Sequence, residues 1–126
     1  MSILDCLKLA KQLIDAYKGK ATEMDEVLPD YLEQVEKDDM KSIEYTAEYV
    51  RTNEQINVAS LFNEVYLFHK KMVAIFPEEN DEESLCQFSQ DLNAAYKEVK
   101  EKFNQSEYAT KMLLFASDKI WKGCMV

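Results

Sequence analysis

The sequence predicts an all-α fold: a four- to five-helix bundle, up-down, in a single helical domain over residues 1–126, with one long central helix at about 40–76. Three observations predict it. Two Gly and two Pro in 126 residues leave few turns, whereas an all-β chain needs many turn residues. Apolar residues recur at spacings of three and four, which marks one face of a helix. Residues 56–76 are the most hydrophobic stretch, with fourteen apolar side chains in twenty-one.

The first helix opens at Ser2, whose side chain can cap it, with Asp5 three residues on. Ile3, Leu7, Ala10, Ile14 and Tyr17 form its stripe, thickened by Leu4, Cys6 and Leu13. Lys18 suits the negative helix end and Gly19 is a natural C-cap. An acidic segment starts at Thr22, where Met24, Leu28, Tyr31 and Val35 keep helical spacing across Pro29. Either that helix is kinked at Pro29 or a short helix begins there with Pro in its first turn, and the second reading is preferred.

Asp38 and Asp39 end the acidic piece and cap the next helix. The stripe Ile43, Ala47, Val50 runs in register into Val58, Leu61, Val65, Phe68, Met72 and Ile75. One helix over 40–76 would be about 55 Å long. The alternative is two helices with a break near Thr52–Gln55, where Thr52 and Gln55 resemble a capping box. No Gly or Pro forces that break, so one helix is preferred. Ala59, Tyr66 and Val73 widen the apolar face of its second half to most of the circumference, which predicts burial on several sides. Glu64, His69, Lys70 and Lys71 exclude a membrane span, and Pro77 ends the helix.

Asn80 or Asp81 caps the next helix, with stripe Leu85, Phe88, Leu92, Ala95, Val99 and Phe103. Asn104 or Ser106 opens the last one, with Ala109, Leu113, Ala116 and Ile120 on one side and Tyr108, Met112 and Phe115 beside them. Gly123 ends it.

The net charge is −9. It disfavours direct nucleic-acid binding, which needs a Lys/Arg face. Fourteen of the fifteen basic residues are Lys, and Arg51 is the one Arg, so no paired-arginine clamp can form. Residues 21–96 carry −13, while 1–20 and 97–126 each carry +2. Three widely spaced cysteines without a CxxC point to a reducing, cytoplasmic setting and no structural zinc. Asp5 and Lys8 break the N-terminal apolar run, against a secretory signal.

Catalytic and metal signatures are not found. A di-iron bundle needs Glu-x-x-His, and the residue three before His69 is Tyr66. His69 reads as a packed or rim residue, and Cys6 and Cys86 read as small buried hydrophobes. The acids of 78–83 lack the glycine of a calcium loop and read as a solvated helix-initiating loop. There is no phosphate loop, nucleophile elbow or zinc-protease motif. The expectation is therefore no enzyme, no cofactor, no metal and no catalytic residue.

The stretch 39–57 alternates aromatic and charged groups. Glu44, Tyr45, Glu48, Tyr49 and Arg51, with Glu33, Glu36 and Asp38 upstream, are the expected partner-binding residues if residues 40–52 project from the bundle. The function expected is an acidic interaction module: an inhibitor, immunity or phage/host-antagonist protein that binds a basic surface on a partner protein through the acids of 22–39 or 78–83 and the Tyr45/Tyr49 face, nucleic-acid mimicry included. Self-association as a homodimeric scaffold through helix 40–76 is the alternative. An enzyme or ligand carrier with a pocket between helices stands behind both.

Overall fold

The computed structural model describes residues 1–125. Among them, six α-helices and one 3-10 turn make up the regular structure, and there is no strand. The fold is an all-α helical bundle. The helices are α1 (Ile3–Tyr17), α2 (Ala21–Glu33), α3 (Met40–Val50), α4 (Val58–Ile75), α5 (Glu82–Lys102) and α6 (Glu107–Cys124), with the 3-10 turn at Lys37–Asp39. The chain divides into two compact units, one from Met1 to Phe62 and one from Asn63 onward.

In the first unit α1 packs against α2 and α3, and α2 packs against α3. The Ser2 hydroxyl accepts from the Asp5 amide at 3.1 Å, as the cap signal predicts. Gly19 takes φ +83° just past α1, a conformation with low cost only for glycine. The α1 face is not quite the predicted one, since Leu9 is buried and Leu4 is 41% exposed. Leu9 lies beside buried Cys6 and Leu13, three residues before and four after it, whereas Leu4 lies on the opposite flank of the buried face.

α2 runs through Pro29 without interruption, which corrects the preferred short helix starting there. Proline removes one intrahelical bond, but the segment is held on both sides of it. Met24 is fully buried, and Leu28, Tyr31 and Leu32 are half-buried. The helix also starts before Thr22, with Lys20 as a cap that makes no side-chain bond.

The expected continuous helix over 40–76 is corrected as well: residues 51–57 are not helical, and α3 and α4 are separate. Polar side chains make the break. The last carbonyls of α3 are taken by other donors, because Thr52 Oγ1 donates to the Tyr49 carbonyl at 2.8 Å and Lys18 Nζ donates to the Tyr49 and Thr52 carbonyls at 3.0 and 2.6 Å. Asn57 then starts α4, its Oδ1 accepting from the Ser60 amide at 3.0 Å. Thr52 thus closes one helix rather than opening another. Ser42 and Thr46 are buried in α3 beside Ile43 and Ala47. Their hydroxyls donate to the carbonyls of Asp39 and Ser42, at 2.6 and 2.7 Å, so they fill core volume without an orphan polar group.

In the second unit α5 packs against α6. Phe76, Phe88 and Trp121 form an edge-to-face triad with ring centroids 4.7 to 5.6 Å apart. Asp81 caps α5, accepting from the Ser84 amide at 2.6 Å. The Ser84 hydroxyl, with that amide bond beside it, holds the Asp81 carboxyl below the usual carboxylate range. α5 ends in a Schellman turn. Asn104 sits at φ +53°, and the amides of Asn104 and Gln105 donate to the carbonyls of Glu101 and Lys100. Asn104 therefore closes α5 and Ser106 opens α6, accepting from the Ala109 amide at 3.3 Å. α6 continues through Gly123 to Cys124, so Gly123 is not its terminator.

α4 is buried on one side only. Leu61, Phe62, Val65, Phe68 and Met72 are buried, but Leu67, Val73 and Ile75 are 47, 41 and 46% exposed. This corrects the expectation of burial all round: apolar composition over most of a helix circumference did not bring neighbours to all of it.

Candidate functional site

The candidate surface is built on α2 and α3. Glu23, Glu26, Asp30 and Glu33 recur at spacings of three, four and three, which aligns them on one stripe of α2 on the side away from Met24. All four are exposed. Among the described residues none of them is ion-paired or bonded through its carboxylate. Their neighbour Asp25, off the stripe, is paired with Arg51.

Glu33 lies on that ridge. Glu36 is exposed, with a carboxylate oxygen 3.3 Å from the Met1 amino nitrogen. Asp38 is exposed in the 3-10 turn. Glu44 and Glu48 are exposed one turn apart on α3, and Tyr45 between them is half-buried, with the Lys41 ammonium 5.9 Å from its ring centroid. Arg51 is exposed and held by Asp25.

Tyr49 is the correction. Residues 40–52 do not project: α3 packs against α1 and α2, and Tyr49 is only 3% exposed. Its hydroxyl accepts from the Ile56 amide at 3.3 Å, and the Lys18 ammonium sits 4.2 Å from its ring centroid. Tyr49 shares a helical face with buried Ser42 and Thr46, at spacings of seven and three. The sequence shows that spacing, but small hydroxyl residues did not register as core.

The ridge members Glu23, Glu26 and Asp30 were covered only by the general acidity of the segment. The signal that finds them is the continuity of α2 through Pro29, because a break there would put Glu23 and Glu33 on unrelated faces.

Titratable groups elsewhere are structural in their surroundings. His69 is half-buried, and burial, with the Lys119 ammonium nearby, lowers its pKa below 6.5. Burial lowers the pKa of Lys18, an effect opposed by Glu54. Burial raises that of Tyr31. Cys6 is buried as expected, whereas Cys86 is exposed. Among the described residues no group of three or more His, Cys, Asp or Glu is placed to hold a metal ion. No described helix is long and apolar enough to cross a membrane. A trough of about 340 Å³ between α5 and α6, open to solvent, is lined by Leu92, Asn93, Tyr96 and Leu114 among others.

Comparison with protein-family models, with curated proteins and with solved structures finds no match for this chain.

Proposed function

We propose that the chain is an acidic interaction module that binds a basic surface on a partner protein through α2 and the outer face of α3. The observation that carries this is the α2 ridge, where Glu23, Glu26, Asp30 and Glu33 lie exposed with no ion pair among the described residues. Four aligned carboxylates repel one another, and a basic partner relieves that repulsion while complementary charge speeds encounter. Glu36, Asp38, Glu44 and Glu48 extend the negative surface, and Tyr45 offers a half-buried aromatic ring beside Glu44 and Glu48. An inhibitor, immunity or phage/host-antagonist role follows from occupying a basic surface, and a carboxylate array that stands in for phosphates is one form of it.

Affinity capture from nuclease-treated lysate of the source cells, at low and at high salt, tests the reading. One stoichiometric protein retained at low salt and released at high salt supports it. A partner held equally at both salt concentrations would remove the electrostatic basis.

Self-association is the second reading, and it rests on a different surface from the one expected. The continuous helix 40–76 does not exist and Tyr49 is buried, but α4 exposes Leu67, Val73 and Ile75. A strictly monomeric sedimentation profile at tens of micromolar protein, on the order of the concentrations where weak dimers form, would rule this reading out.

A further inference from the structure

We infer that Lys18 is a charge-dependent latch that holds the α3–α4 connector, residues 51–57, in its ordered path. Three separate contacts of one ammonium group meet there. Lys18 Nζ donates to the carbonyls of Tyr49 and Thr52, at 3.0 and 2.6 Å, and it lies 4.2 Å from the Tyr49 ring centroid. The two carbonyls belong to the last residues of α3 and the turn beyond, where a helix leaves its acceptors without intrahelical partners and where a cation is favoured. The ring face adds a further attraction for the same charge.

The connector's other holds are local or at its edges. Thr52 donates its amide and hydroxyl to the Tyr49 carbonyl, Asn57 caps α4, the Ile56 amide donates to the Tyr49 hydroxyl at 3.3 Å, and Arg51 is tied to Asp25. Thr52, Asn53, Gln55 and Asn57 are exposed, so no apolar burial fixes those four positions. Lys18 and the Tyr49 ring that it covers therefore bind α1, the end of α3 and the approach to α4 together. The lysine comes from a position next to Gly19, whose left-handed backbone turns the chain away from α1 there. Remove the charge and the Thr52 carbonyl loses the Lys18 donor, while the Tyr49 carbonyl keeps only the Thr52 amide and hydroxyl and the helices around them keep their apolar cores. The connector then opens locally, below the cost of global unfolding.

Arg51 supplies the readout, because the Arg51–Thr52 bond is a trypsin site inside the latched segment, and cleavage of a native protein tracks the population of the locally open form. Wild type, Lys18→Met, Lys18→Arg and Tyr49→Phe are digested under native conditions and the cut sites assigned by mass. Lys18→Met keeps most of the aliphatic stem and loses the charge. Its cleavage after Arg51 is expected to rise about tenfold, with cleavage after Lys11 in α1 and Lys41 in α3 unchanged, as for a contact worth a tenfold equilibrium shift. Lys18→Arg keeps a donating cation and is expected to stay within about threefold of wild type. Tyr49→Phe keeps the ring under Lys18 and loses the hydroxyl that takes the Ile56 amide, and it is expected to fall between them. Cleavage after Arg51 at the wild-type rate in Lys18→Met overturns the latch. Parallel acceleration after Arg51, Lys11 and Lys41 also overturns it, since Lys18 would then be a general stabiliser of the unit.

Discussion

In the first unit thirteen carboxylates face seven basic side chains, and the α2 ridge carries four carboxylates that make no ion pair among the described residues. In the second unit eleven carboxylates face eight lysines. There Glu64, Glu107 and Asp118 each lie within 3.4 Å of a lysine nitrogen. The apolar surfaces run the other way. The first unit hides its aromatic Tyr49 and the side chains of Met24, Ile43 and Leu61, while the second displays Leu67, Val73, Ile75 and Leu114. The larger net negative charge and the larger set of exposed apolar side chains thus fall on different units. The first suits a salt-sensitive encounter with a basic partner and the second an apolar contact that salt does not weaken.

The contrast between hidden and displayed apolar groups is broken most sharply at Met24. It is fully buried and anchors α2 on the N-terminal side of Pro29. Met24→Ala is expected to cost about 2 to 5 kcal/mol of stability, measured by chemical denaturation. Leu67→Ala, at a side chain 47% exposed, is expected to change stability by no more than about 0.5 kcal/mol. Equal costs would mean that Leu67 is covered in solution, which would move weight to self-association.

Helix ends give a smaller effect. Ser106 caps α6 through the Ala109 amide, and Ser106→Ala is expected to cost about 1 kcal/mol. Thr22→Ala, at a position where the sequence suggests a start but the structure shows an exposed side chain without a capping role, is expected to be near neutral in the same denaturation series.

The smallest effect concerns pH. His69 has its pKa lowered in the folded state by burial, with Lys119 adding to it, so the unfolded chain takes up the proton first as pH falls. The stabilising preference for neutral imidazole is complete above the ordinary value of 6.5 and is lost as pH falls through the lower folded value. His69 is the one histidine of the chain, so a single imidazole resonance reports it by proton NMR. A midpoint below 6.5, together with a flatter stability profile between pH 7.5 and pH 5 in His69→Gln, is expected; a midpoint at or above the ordinary value would contradict the burial.

Much of the fold was legible from local rules. Ser2, Asp81 and Ser106 cap helices because a short oxygen side chain reaches the amide three residues on, and that geometry needs no knowledge of neighbours. The stripes Leu7–Ala10–Ile14 and Phe88–Leu92–Val99 are buried for the same local reason. What escaped reading depended on partners far along the chain. The break after Val50 rests on Lys18, more than thirty residues earlier, as much as on Asn57. Tyr49 is buried because α1 and α2 cover a face widened by Ser42 and Thr46, whose hydroxyls satisfy themselves on their own helix. Pro29 stays inside α2, where Met24 and Leu28 before it and Tyr31 and Leu32 after it are buried or half-buried. The acidity of the candidate surface was readable, but its alignment into a ridge followed only once α2 was continuous.

The most direct measurement compares the wild type with a variant in which Glu23, Glu26 and Glu33 are changed to Gln and Asp30 to Asn. These side chains are exposed, so the helix and its core are left alone. Both proteins, shown to have the same helical content by circular dichroism, are titrated with the captured partner at low and at high salt. The account predicts tight binding of the wild type at low salt, at least tenfold weaker binding of the variant, and convergence of the two at high salt. Equal affinity of wild type and variant at low salt would contradict it and would take the α2 ridge out of the interface.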